Sequence, residues 1–322
     1  MSNLESAPRE VPCRATGFDG AEVLQPRDVP LGGPRAIVVR RTLPQRERSL
    51  IGAWCFADHY GPQDLRDGPG MDVPPHPHTG LQTVSWLFSG EIEHRDSAGV
   101  HQVVRAGELN LMTAGAGICH SEVSTADTAV LHGAQLWVAL PEAGRHAGRD
   151  FEHFVPEPVS QSGVTIRVFL GALAGQRSPV HTFTPLLGAQ LNLPPGALID
   201  LAVDPAFEHG VLLDLGVVDV AGRRLDAGQL AYLRPGATTL RLHNPAGQTA
   251  RVLLLGGPPF GEDLLMWWNF VARSHDEIVE YRQLWQDGDV RFGSVSGYSG
   301  AVDRLPAPPL PAIRLRPRRS QP

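Results

Sequence analysis

Short runs of alternating apolar and polar residues, cut by glycine and proline, carry the structural signal of this chain. Residues 36–56 (AIVVRRTLP…IGAWCF) predict short strands around a polar turn, and residues 57–75, rich in Pro, Gly and Asp, predict a loop. Residues 80–88 predict a strand ending at Ser89-Gly90, with residues 91–96 as its hairpin partner. Residues 103–108 predict a strand and turn; 109–112 lead into the glycine-rich 114–117, and 135–140 close the set. Strands this short, at this spacing, indicate an all-β barrel or sandwich.

The pattern then begins again. Residues 164–170, 189–193, 199–203, 210–220, 229–233, 239–242 and 250–255 all suit strands. Gly228–Leu233 sits in its half much as Gly107–Met112 does in the first, so a duplicated β-barrel is the natural reading. The texture changes at Ser274-His275-Asp276-Glu277, a capping-box start. Ile278, Tyr281 and Trp285 then fall on one helical face. The predicted organisation is an N-terminal extension over 1–33, a first barrel over 34–158, a second over 159–260, a helical segment packing on the barrels over 261–302, and a Pro/Arg-rich tail over 303–322. That tail, with Arg314, Arg316, Arg318 and Arg319, reads as extended or disordered and solvated.

Composition narrows the function classes. A length of 322 residues fits two domains at roughly 150 residues each. The 42% hydrophobic content allows a substantial core, and Gly 35 with Pro 29 favours turns and short strands over long helices. A formal net charge of −6 argues against nucleic acid as a partner. Every basic side chain is Arg; no Lys occurs. Cys13, Cys55 and Cys119 are too few and too scattered for a disulfide framework, so a reducing cytoplasm is the expected compartment. Residues 1–10 lack a signal pattern, and the longest apolar run, 264–272, is too short to span a bilayer.

The chemistry concentrates at Pro75-His76-Pro77-His78 and His120-Ser121-Glu122. On a strand, positions i and i+2 share a face, so His76 with His78, and His120 with Glu122, can each converge on one point. Three imidazoles and one carboxylate suit a divalent transition metal, with room left for a substrate. The spacing matches the cupin pattern, in which a glycine, here Gly70, stands six positions before His-x-His. Cupins usually carry a Glu ligand four residues after the second His; here that residue is Gln82, a poor ligand, and Glu122 is placed to supply the charge. One carboxylate with three neutral imidazoles leaves a divalent ion at net +1, which attracts an enolate, phenolate or carboxylate. The second barrel lacks both pairs; its His181, His209 and His243 are isolated.

With these residues in hand, the chain resembles the pirin family of bicupins. The matching segments run from Pro75–Gly80 and Thr83–Ser85 through Glu93–Ser97, Asn110–Gly115, Gly117-Ile118, His120–Glu122 and Gln135–Val138. They cover most of the first barrel, whereas the second barrel matches mainly in architecture. The Met266–Arg273 segment looks like a bacterial branch of the family. The family often has Arg where Thr79 stands, Glu at Gln82 and Arg at Ala116. The resemblance implies two tandem cupin (jelly-roll-like) barrels with a short C-terminal helix. It implies one divalent metal, Fe(II), on His76, His78, His120 and Glu122, and a metal-free second barrel. Some relatives cleave quercetin with dioxygen as 2,3-dioxygenases; others are described as iron-dependent nuclear co-regulators. The first reading gives a flavonol and dioxygen as partners, with Glu122 as general base for the 3-hydroxyl proton. The second gives a redox-sensing regulator acting through a protein partner.

His94 and Asp96 could orient a ligand imidazole, because metal-bound histidines usually donate their other N–H; a turn-end hydrogen bond is the plain alternative. Gln82 could bond substrate or a metal-bound water. Trp86, four residues beyond it, would lie on the metal's face of the strand and reads as core. Cys119 should face away from the metal as a small core residue. Trp267, Trp268 and Phe270 read as an anchor holding the C-terminal segment across the two barrels.

Overall fold

Twenty-six short strands and one helix make up the regular structure of this computed structural model, which describes residues 20–30, 37–46, 48–66, 68 and 70–317. Cys13, residues 1–10, Arg318 and Arg319 lie outside the described residues. The first half contains β1 (Glu22–Leu24), β2 (Arg27–Pro30), β3 (Val38–Leu43), β4 (Trp54–Asp64), β5 (Asp72–His78), β6 (Leu81–Ser89), β7 (Glu91–Asp96), β8 (His101–Arg105), β9 (Leu109–Thr113), β10 (Ile118–Ser124), β11 (Val130–Ala139) and β12 (Asp150–Phe154). The second contains β13 (Val159–Gln161), β14 (Val164–Leu170), β15 (Ala172–Leu173), β16 (Gln176–Arg177), β17 (Leu187–Leu193), β18 (Leu198–Ala202), β19 (Glu208–Leu215), β20 (Val217–Val220), β21 (Arg223–Asp226), β22 (Leu230–Leu233), β23 (Thr239–His243) and β24 (Ala250–Gly257). A hairpin of β25 (Leu265–Trp267) and β26 (Phe270–Ala272) precedes α1 (His275–Asp287).

The two barrels repeat strand for strand. In the first, a seven-stranded sheet β12-β9-β6-β11-β4-β3-β2 faces a four-stranded sheet β5-β10-β7-β8. In the second, β1-β22-β19-β24-β17-β14-β13 faces β18-β23-β20-β21. The expected duplicated all-β architecture is therefore present. The strand that precedes each barrel joins the other one: β1 pairs with β22, and β12 with β9. Part of the N-terminal extension is thus an edge strand of the second barrel.

The seven-stranded sheets pack against each other through their outer faces. Val84, Trp86, Leu109, Leu111, Ala134, Leu136 and Val138 meet Phe169, Leu170, Leu212, Leu253 and Leu255 in one core. Trp86 stacks on Phe169 with ring centroids 4.5 Å apart, and its Nε1–H donates to Gln190 Oε1 at 2.8 Å. A sheet buried on both faces explains why β6 is nearly all buried and shows no clean alternation.

Three local expectations give way. The loop predicted over 57–75 is largely strand, since β4 runs to Asp64 and β5 starts at Asp72. Gly61 and Pro62 fall in a bulge against β11, beyond the last β3 pairing at Tyr60, so the proline removes no ladder bond. Residues 91–96 are not the hairpin partner of β6, which is already flanked by β9 and β11. Gly90, at φ +83°, sends the chain to the opposite sheet, where β7 lies between β10 and β8. The run 210–220 splits into β19 and β20 at Gly216, φ +83°.

The C-terminal segment docks on the first barrel alone. Trp267, Trp268 and Phe270 share a core with Ile278, Tyr281, Trp285, Met71 and Cys119, to which no strand of the second barrel contributes. The anchor therefore does not bridge the barrels; the second seven-stranded sheet has its outer face at the junction. Ser274 caps α1 as expected, its side chain accepting from the Glu277 N–H, and Ile278, Tyr281 and Trp285 are buried. The tail is extended, but its first part is not solvated. Leu305 and Ala307 are buried, and Leu310 and Leu315 pack on the same core. Among the described residues, no helix is long and apolar enough to cross a membrane.

Candidate metal centre

The edge position of β5 is what lets Val-Pro-Pro-His-Pro-His form a strand. Prolines cannot donate to a ladder and are tolerated where only one neighbour pairs. That neighbour is β10, with His76 opposite His120 and His78 opposite Ile118. Gly70 adopts φ +75°, and a Cβ there would stand 2.5 Å from Ser124 Oγ, the acceptor for Met71 N–H. On its other side β10 pairs with β7, placing Asp96 opposite His120 and His94 opposite Glu122. The two separated motifs, and the 94/96 pair, thus meet on one inward face.

His76, His78 and His120 are completely buried, and their free ring nitrogens lie within 4.8 Å of one another. His78 Nε2 and His120 Nε2 are 3.1 Å apart. Neighbouring acceptors fix the tautomers. His76 Nδ1–H donates to Pro74 O at 2.9 Å, and His78 Nδ1–H to Asn269 O at 3.1 Å. A carbonyl only accepts, so both Nε2 atoms carry lone pairs. His120 Nδ1 faces His94 Nδ1 at 3.4 Å, and His94 Nε2–H donates to Asp96 Oδ2 at 3.1 Å. Asp96 is held in turn by the Ala98 and Val100 N–H groups. Burial drives all three imidazole pKa values well below 6.5, so the rings are neutral.

Three lone pairs aimed at one point inside a protein are unfavourable without a cation. His76 Nε2 is buried with no partner at all. The donor set therefore fits a divalent transition metal. Asn269 and the 120–94–96 chain are placed like the outer partners that metal-bound histidines use. Glu122 is the outlying member: its carboxylate groups with His94 and His120 at this spacing, not with His76 and His78.

Gln82 does not face this centre. Its Nε2 donates to Thr113 Oγ1 at 3.0 Å, on the β6 face shared with Val84 and Trp86, which packs toward the second barrel. Trp86 accordingly lies on the junction face rather than the metal's. Strand parity puts Thr83 and Ser85 inside instead, and Ser85 Oγ reaches Glu122 Oε1 at 3.4 Å. Cys119 turns away from the metal as expected: Sγ–H meets Gly293 O, and burial pushes the thiol up to about 11. Sequence reasoning gave no role to Tyr60, Ser85, Asn110 and Gln135, all buried polar residues in the first barrel. The available signal was polar residues at inward parity in otherwise apolar strands.

A second buried triad, His59, His132 and Asp214, spans the barrel junction. Both Nε2 atoms lie 2.6 Å from the same Asp214 Oδ1. Arg251 pairs with the other oxygen, and its Nη2–H points at His132 Nδ1 at 3.4 Å. His132 Nδ1 must therefore accept, and its proton sits on Nε2. That is the reverse of the first triad. This cluster is a hydrogen-bonded latch between the barrels.

Burial holds His59 below 6.5. Burial alone would raise Asp214, but bonds from His132 and His59 overcome it and hold it far below 3.8. The folded chain then binds fewer protons than the unfolded chain as pH drops beneath 6.5, so stability must rise with pH through that window. Melting temperature should fall steadily from pH 7 toward 5; a flat profile would contradict the neutral assignment.

In the second barrel, β18 and β23 take the places of β5 and β10. Their inward residues are Ile199, Leu201, Leu240 and Leu242, all within an apolar core. Fold and site together define a bicupin with a histidine-rich centre in its first barrel. Residues 36–138 match the Pirin family model, and residues 188–293 match that of the Pirin C-terminal cupin domain. A Pseudomonas aeruginosa protein named "Putative quercetin 2,3-dioxygenase" is 46% identical over 88% of this chain and 89% of its own length. A "Pirin-like protein" of Caulobacter vibrioides is 36% identical over 79% of this chain and 90% of its own. The crystal structure of a quercetin 2,3-dioxygenase from Acinetobacter baumannii superposes with a TM-score of 0.86 at 40% identity, covering 92% of this chain and 98% of that one. The chain belongs to the pirin family.

Proposed function

We propose that this pirin is a metal-dependent dioxygenase that opens flavonol-type enols, with Fe(II) at His76, His78 and His120 and with Glu122 beside them. The observation that carries the reading is the convergence of three neutral Nε2 atoms beside a carboxylate in a buried, polar-lined barrel. Relatives named for quercetin cleavage support it. A bound divalent ion there supplies Lewis acidity toward an enolic oxygen and redox chemistry toward dioxygen.

The protein's own contributions follow from its geometry. Glu122, completely buried and standing off from two of the histidines, is placed to take the 3-hydroxyl proton. Ser85 Oγ lies 3.4 Å from its Oε1. His94 and Asp96 keep His120 aimed through its Nε2. Burial excludes water, which strengthens each of these interactions.

The test is oxygen uptake by iron-replete protein with quercetin, run beside a known quercetinase. Dioxygen consumption matched to loss of flavonol is the expected result. Metal-replete protein that consumes none would overturn the assignment and favour an iron-dependent regulator acting through a protein partner.

A further inference from the structure

We propose that Asn110 and Gln135 form a paired amide site that takes two oxygen atoms of a planar polyphenolic ligand along the sheet wall of the first barrel. A single polar row crosses that wall. Cross-strand pairing aligns Asn110 with Ser85, Ser85 with Gln135, Gln135 with Asp58, and Asp58 with Arg41. Directly opposed residues share a face. Ser85 identifies that face as the interior, since its Oγ lies 3.4 Å from Glu122 Oε1 on the facing sheet.

The row is tied at its ends and open in its middle. Arg41 donates to both oxygens of Asp58, at 2.6 and 2.8 Å. At the other end, His153 Nδ1–H donates to Asn110 Oδ1 at 3.0 Å. Ser85 Oγ–H donates to Gln135 Oε1 at 3.0 Å. Each amide turns its carbonyl oxygen to one of these neighbours. Yet Asn110 Nδ2 and Gln135 Nε2 are both buried without a partner. Natural interiors seldom leave such donors unmet. Two of them flank Ser85 in one row, on the interior wall that faces Glu122, and this points to a ligand that supplies acceptors.

Spacing and charge define that ligand. Neighbouring strands lie about 4.8 Å apart, so these two positions, two strands apart, are separated by roughly 10 Å. They suit two separate oxygens of one flat molecule rather than a single oxyanion. Uncharged NH₂ donors accept nothing, so they select phenol, phenolate or carbonyl oxygens. This inference rests on the flavonol reading and adds to it that hydroxyls away from the metal-facing enol are read by the sheet.

The test is an anaerobic absorbance titration of the metal-loaded protein with quercetin and with 3-hydroxyflavone, which keeps the enol and lacks the other hydroxyls. The variants are Asn110→Leu and Gln135→Met, with the isosteric Asn110→Asp and Gln135→Glu guarding against misfolding. Each should weaken quercetin binding by roughly 10–100-fold and leave 3-hydroxyflavone within about twofold, at unchanged metal content. Variants that bind quercetin like the wild type, or lose both ligands equally, overturn the inference while leaving the flavonol reading intact. A wild type that binds neither flavonol at full metal load overturns both.

Discussion

On the proposed function, replacing His76 by Ala should abolish metal binding and flavonol turnover together while the fold survives. His76 is the member of the triad whose Nε2 has no protein partner, so nothing in the protein depends on that atom except the ion. Removing it leaves two imidazoles and an outlying carboxylate, too few donors for a closed four-coordinate set. His94→Ala provides the graded comparison. It removes a group that touches His120 rather than the metal, and loss of such a partner typically costs 10–100-fold in affinity or activity. The expected order in metal affinity is wild type, then His94→Ala, then His76→Ala, read by elemental analysis after dialysis. Metal retained in the His76→Ala protein would remove that residue from the site.

The largest stability effect is expected at the barrel junction, from Asp214→Ala. Asp214 accepts from two histidines and pairs with Arg251, and it is nearly fully buried. Deleting one partner of a buried ionic network strands the others, typically at about 3–5 kcal/mol. Arg251 is partly exposed and can regain water, so about 3 kcal/mol is the better figure. At roughly 2–4 °C per kcal/mol this lowers the melting temperature by about 6–12 °C. Asp214→Asn keeps an acceptor oxygen and should lose less. Metal content should be unchanged in both, because the latch and the centre are separate clusters. A melting temperature within about 2 °C of wild type would show that the apolar junction alone holds the barrels together.

Much of this was legible in the sequence because the side-chain period of a strand is two. His-x-His and His-x-Glu announce a shared face wherever a strand is granted, and the duplicated turn spacing granted it. What sequence could not show was which strands become neighbours. His94 and Asp96 read as a hairpin continuation of β6, whereas pairing with β10 brings them behind His120. Gln82 sits at a position where a ligand is usual, yet the parity of β6 turns it toward the second barrel. The latch was invisible for a similar reason: His59, His132 and Asp214 lie on three strands of two barrels, and only the docking of the outer faces unites them. The tail looked solvated because proline and arginine dominate it, while the sparse leucines at 305, 310 and 315 decide where it lies.

Among the described residues, the His76, His78 and His120 cluster is proposed to hold a metal and the junction latch is not. The latch orients its histidines with protons toward their common centre, whereas the His76, His78 and His120 set points lone pairs inward. Metal stoichiometry of the purified protein after loading with excess Fe(II) under anaerobic conditions and removal of loosely bound ion tests this directly. The account predicts one ion per chain, lost with His76→Ala and kept with Asp214→Ala; no bound ion, or two with the second abolished by Asp214→Ala, would contradict it.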